Sequence, residues 1–155
     1  MVKLGKKISA LSIDIVRDHH AGNYTCVAVN RATSVNFTAE LVVNVPPKIA
    51  HFDFGDHAVN FEESVSVNCL IYLGDLPMDI TWLFNGAHIN AYTGVSIVKG
   101  GKKASILTID SVHAGHAGNY TCKARNDADS AEYTAELIVN GIEGVLDDKE
   151  LHIIR

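Results

Sequence analysis

Three cysteines, eight histidines and three Asn-X-Thr sequons are the residues of this chain whose types and spacing could do chemistry. Cys69 and Cys122 stand 53 positions apart, close enough in number and kind to form a disulfide. A cysteine pair within one structural unit points to an oxidising compartment, with two reduced, buried thiols as the alternative. Cys26 is a third thiol with no obvious mate, and is expected to be unpaired. His113 and His116 lie three apart, and His19 and His20 are adjacent, which raises a metal site. No third ligand recurs at a fixed spacing, so these histidines are expected to be surface-turn residues and no metal is expected. Asn23, Asn36 and Asn119 head sequons, which makes them candidate N-glycosylation sites if the chain is exported and turn caps otherwise. No Ser/His/Asp arrangement, carboxylate pair or glycine-rich phosphate loop is present in a strand–turn–helix setting. The chain is therefore expected to be no enzyme, with no cofactor and no small-molecule substrate.

The elements that must hold these residues come from a repeat. His-Ala-Gly-Asn-Tyr-Thr-Cys occurs at residues 20–26 and again at 116–122, an offset of 96 that holds without a gap from 2–44 to 98–140. Of those 43 aligned pairs, 27 are identical. Fixed-spacing self-similarity means tandem copies of one unit. The register predicts the C-terminal half of a unit over 1–45, a complete unit over 46–140, and a C-terminal tail over 141–155 that is expected to be poorly ordered. A unit of this size buries only about two-thirds of its unfolded surface and gains from a covalent staple.

Composition narrows the classes further. The 155 residues are 47% hydrophobic and 20% charged, ordinary for a globular chain, and carry a net charge of −5. That balance argues against a nucleic-acid partner. No apolar run approaches the roughly 20 residues of a membrane span. Lys3, Lys6 and Lys7 near the start precede no apolar stretch, so the N-terminus does not read as a signal peptide.

Alternation of period two dominates. Val65, Val67, Cys69 and Ile71 fall on one face of a strand, as do Ile80, Trp82 and Phe84. Asn85-Gly86 then reads as a hairpin turn. Leu107 and Ile109 point one way, as do Tyr120, Cys122 and Ala124, and as do Tyr133, Ala135, Leu137 and Val139. Weaker strands are expected over 48–61 and 95–99. Seven or eight short strands in such a span predict an all-β antiparallel sandwich. The constellation Cys69…Trp82…Tyr120-Thr121-Cys122 names it as immunoglobulin-like. The cysteines would bridge the sheets, Trp82 would pack on the bridge among core residues such as Leu107, and Tyr120 would form a tyrosine corner.

Further segments narrow the likeness. With Pro46-Pro47-Lys48-Ile49, Phe52-Asp53-Phe54-Gly55-Asp56, Gly74-Asp75-Leu76-Pro77, Ile80-Thr81-Trp82-Leu83-Phe84-Asn85-Gly86, residues 105–112 and both heptapeptides, the chain resembles the Down syndrome cell adhesion molecule family, with its tandem I-set immunoglobulin domains. The resemblance covers residues 2–140. It implies a fragment of a homophilic cell-surface receptor, with roles in neuronal self-recognition and axon guidance. It also implies a protein partner of the same or a related kind, and localisation at the plasma membrane or outside the cell. Two other readings are an intracellular muscle-type structural immunoglobulin domain and a secreted immune-recognition protein. A departure from the family is the last hairpin, where Thr33 and Asp129 replace the usual glycine, and the first copy is expected to turn differently.

Several further expectations follow. Residues 43–48 join the copies through two prolines and no flexible linker, which predicts a stiff array. Residues 2–44 supply three strands and half a core, with Leu11, Ile13, Tyr24, Ala28, Phe37 and Leu41 facing water and open edges, so this segment is expected to fold poorly alone or to recruit another chain by strand pairing. The basic turns at 3–7 and 99–103 are solvated turns or contacts for an anionic glycan or lipid.

Overall fold

The structure, a computed structural model, describes residues 1–89 and 94–141. The expected tail from residue 142 onward lies outside the described residues. The chain divides after Val45 into two compact units.

The first unit is two hairpins. Strands β1 (Val2–Lys3) and β2 (Ser9–Ala10) pair antiparallel, and β3 (Gly22–Val29) pairs with β4 (Ser34–Leu41). A short 3-10 turn at Asp18–His20 leads into β3. Four strands are thus present where three were expected, two of them only two residues long.

The second unit is a two-layer sandwich. Its strands are β5 (Lys48–Ile49), β6 (Val59–Asn60), β7 (Val65–Leu73), β8 (Asp79–Phe84), β9 (Ala87–His88), β10 (Val95–Lys99), β11 (Ala104–Ile109), β12 (Gly118–Arg125), β13 (Ser130–Leu137) and β14 (Val139–Asn140). One sheet has the order β10-β11-β7-β5 and the other β13-β12-β8-β9. A short parallel pair, β14-β6, lies apart from both. The strands form because β-branched and aromatic residues alternate with polar ones, so each strand offers one apolar face to the opposite layer. Asn85 and Gly86 both have positive φ (49° and 82°), the type of turn that matches strand twist, and Phe84 faces Ala87 across it.

The core lies between the layers. Val67, Cys69 and Ile71 from β7 and Leu107 and Ile109 from β11 meet Trp82, Tyr120, Cys122, Ala124 and Leu137 from the other sheet. Burial of these side chains supplies the main driving force for the fold. Phe52, in the irregular stretch between β5 and β6, stacks edge-on to Trp82 at 5.3 Å and to Tyr133 at 5.0 Å. Phe54 does the same to Tyr120 at 5.2 Å. Alternation alone did not place these two rings, because their backbone is not a strand.

Candidate functional site

Cys69 on β7 and Cys122 on β12 are joined by a disulfide that crosses the two sheets, with their Cα atoms 6.3 Å apart. Trp82 sits opposite Cys122 in the strand register, and Ser105 opposite Cys69. The indole Nε1–H donates to Ser105 Oγ at 3.0 Å, so the one polar atom of the buried indole is satisfied.

Tyr120 closes the corner. Its hydroxyl donates to the His116 carbonyl at 2.9 Å, and burial pushes its phenol pKa up to about 12. His116 is buried, contrary to the expectation of a surface turn. Its Nδ1 accepts the backbone N–H of His113 at 2.9 Å, and its ring lines a small cavity with Phe84, Val95 and Tyr120. Imidazole in this position takes the role of a capping side chain. The first unit repeats both contacts: Tyr24 donates to the His20 carbonyl at 2.8 Å, and His20 Nδ1 accepts from Arg17 N–H at 2.8 Å. Among the described residues, no three His, Cys, Asp or Glu side chains converge as a metal site would require.

The last hairpin of each unit turns the same way, which corrects the expectation that Thr33 would change it. Asn30 Oδ1 accepts from the N–H groups of Ala32 and Thr33, and Asn126 Oδ1 from those of Ala128 and Asp129. Neither Thr33 nor Asp129 has positive φ, so no glycine is required. The asparagine cap, two or three residues upstream, carries the turn.

The outer faces of the two sheets differ in chemistry. On β13-β12-β8-β9, Lys123 stands opposite Glu132, Arg125 opposite Asp79, Thr121 opposite Thr134 and Asn119 opposite Glu136. The sequon residue Asn119 is exposed on this polar face. Asn23 and Asn36 are likewise exposed on the first unit. On β10-β11-β7-β5 the outward positions include Leu70, Tyr72, Val98 and Ile106, all exposed, with Tyr72 at 62% and Val98 at 60%. Val98 lies directly opposite Ile106. Lys99 at the end of β10 and Lys102 in the turn after it line an open cleft of about 520 Å³ together with Leu76, Pro77 and Met78. Cys26 is a free, exposed thiol.

The immunoglobulin I-set domain model matches residues 50–139. The chain belongs to the immunoglobulin I-set family. It is similar to the cell adhesion molecule Dscam1 of Drosophila melanogaster, with 41% identity over 129 residues, 82% of this chain. It spans only 6% of that relative's length. Among solved structures it is similar to the Dscam1 Ig7 domain, isoform 5, with 43% identity and a TM-score of 0.60 over 62% of this chain and 98% of that one. It is also similar to the N-terminal eight immunoglobulin domains of DSCAM isoform 1.30.30, with 36% identity and a TM-score of 0.68 over 81% of this chain and 16% of that one. In this I-set unit the bridge, the indole and the tyrosine corner lie in the core.

Proposed function

We propose that this chain is a recognition module of a cell-surface adhesion receptor that binds a second copy of itself or of a related receptor. Its docking surface is the outer face of β10-β11-β7-β5. The observation that carries this reading is the contrast between the faces. One presents Leu70, Tyr72, Val98 and Ile106, exposed on three strands with Asn68 beside Ile106, whereas the other presents paired charges and a sequon. Apolar side chains left exposed together on one face are the usual mark of a protein-binding surface. A glycan on Asn119 would crowd the polar face and leave the apolar one free. The disulfide supports an exported setting over the intracellular muscle-type reading, since such bridges persist in oxidising compartments.

Beads coated with the full chain test the proposal. The wild type is expected to aggregate the beads, Tyr72→Asp and Ile106→Lys to abolish aggregation, and Lys123→Glu to leave it intact. Loss with Lys123→Glu but not with the two apolar-face variants would place recognition on the other sheet and overturn the assignment.

A further inference from the structure

Lys99 ends β10 opposite Ser105, the buried residue whose hydroxyl accepts the hydrogen bond of the core indole. Directly opposed residues of an antiparallel pair project to the same side of the sheet. Lys99 therefore takes an inner-face position, in step with Ile97 and with Val95, which packs on the core. From the other sheet, Ile80 stands opposite the buried Ala124, so it too is an inner-face residue, and it packs against the core. Both Lys99 and Ile80 line the cleft of about 520 Å³. The cleft is thus a continuation of the space between the two layers, not a dent in an outer face.

Its lining divides cleanly by chemistry. Leu76, Pro77, Met78, Ile80 and Ala104 are apolar, and the charged members are Lys99 and Lys102. No carboxylate lines it, since Asp79, next to Met78, stands opposite Arg125 in the strand register. Among the described residues neither lysine forms an ion pair. The backbone sets the parts in place. Gly100 N–H donates to the Ala104 carbonyl at 2.9 Å and closes the turn that carries Lys102. A Cβ on Gly74 would lie 2.9 Å from Met78 Cε, so the bare glycine leaves that side chain its place. A preformed hollow of about 300–1,000 Å³, mostly apolar with a few charged groups, has the form of a small-molecule site.

We infer that this cleft binds a small amphipathic anion. A single carboxylate or sulfate is held by Lys99 and Lys102, and an aliphatic body lies along Leu76, Met78 and Ile80. Both parts are needed. A bare inorganic anion leaves the apolar lining in water, and an uncharged hydrocarbon leaves the two lysines without a partner. Lysine presents a compact charge on a flexible stem, which suits an oxyanion without demanding one planar geometry. The site is independent of the adhesive face proposed above, because Val98 and Ile106 point outward from the strands whose inner positions hold Lys99 and Ser105.

The chain has two methionines, Met1 and Met78. Carbon-13 labelling of their methyl groups in the full chain gives one reporter in the cleft and one outside it. Titration with decanoate below its micelle concentration is expected to shift the Met78 signal saturably and leave Met1 unmoved. Decyl sulfate should act alike, whereas decanol and inorganic sulfate should each bind at least about tenfold more weakly. The double variant Lys99→Gln, Lys102→Gln should bind decanoate about tenfold more weakly and decanol as before. Leu76→Asp, at an exposed position, should weaken decanoate with the free-chain spectrum of the fold retained. Lys123→Gln, on the polar sheet, should bind as the wild type. Equal affinity for decanol and decanoate, an unweakened double lysine variant, or equal shifts at Met1 and Met78 would overturn the inference.

Discussion

The Trp82 indole and the Ser105 hydroxyl meet at 3.0 Å across the core, tying β8 in one sheet to β11 in the other beside the disulfide. Both residues are almost wholly buried. Removing the hydroxyl leaves a buried N–H without a partner, and the penalty for such a group is about 1–3 kcal/mol. Ser105→Ala is expected to lower the unfolding free energy by that amount in urea titrations with unchanged m-value. Ser9, the repeat counterpart, is exposed and has no indole to serve. Ser9→Ala is expected to stay within about 0.5 kcal/mol of the wild type. Equal effects at the two positions would contradict the role assigned to Ser105.

Tyr120 gives the fold an alkaline limit. Its phenol has an ordinary pKa of 10.0 and is raised to about 12 in the folded chain, because burial opposes the charged form. The folded state therefore holds this proton more tightly than the unfolded state. The stabilisation is fully present below pH 10 and is lost as the pH climbs from 10 toward about 12. Ionisation also removes the donor to the His116 carbonyl. Denaturant midpoints measured across that window should fall for the wild type and fall less for Tyr120→Phe. Parallel curves would show that the corner does not set the limit.

The bridge between Cys69 and Cys122 closes a loop of 53 residues. In the chain-entropy account, a loop of that length is worth roughly 4 kcal/mol, a large share of the stability of a unit this small. The double variant Cys69→Ala, Cys122→Ala is expected to lose about that much, read as a drop in urea midpoint. Reduction of the wild type under native conditions should reproduce the loss.

Much of this architecture could be read from residue types alone. Alternation at Val65, Val67, Cys69 and Ile71 placed a strand and its buried face, because side chains on a strand repeat every two residues. Asn85-Gly86 marked its turn because both positions need positive φ. The spacing of Cys69, Trp82 and Cys122 assigned the sandwich, because few folds put an indole one strand from a bridge. Phe52 and Phe54 were not legible as core: they sit on irregular backbone, where no period reveals a face. Ser105 read as an ordinary alternating serine, since its value depends on a tryptophan 23 residues away. His116 reads as a surface residue in sequence, whereas in the fold it is buried and its ring lines a cavity with Phe84 and Val95 from other strands. The apolar outer face was hidden for a similar reason. Leu70, Val98 and Ile106 are far apart in sequence and share one outer face only when β10, β11 and β7 align.

Gly118 and Gly22 occupy the same place in the two heptapeptides and have similar φ, +149° and +145°, yet their surroundings differ. A Cβ on Gly118 would lie 2.7 Å from Asn85 Oδ1 and 2.8 Å from Phe84 Cε2. Asn85 Oδ1 accepts the Asn119 N–H at 2.9 Å, and Phe84 packs on Tyr120 with ring centroids 4.8 Å apart. An alanine there must displace the turn between β8 and β9 or the ring that shields the tyrosine corner. Gly118→Ala is therefore expected to cost about 3 kcal/mol, toward the upper end of ordinary single substitutions. A Cβ on Gly22 meets no atom within 4 Å, and among the described residues no strand pairs with β3 where β8 pairs with β12. Gly22→Ala then carries only the strain of a side chain at this positive φ, about 1 kcal/mol. Thermal or urea unfolding of both variants would decide between this account and one in which glycine is needed at either site for backbone reasons alone. In the latter case the two losses would be equal.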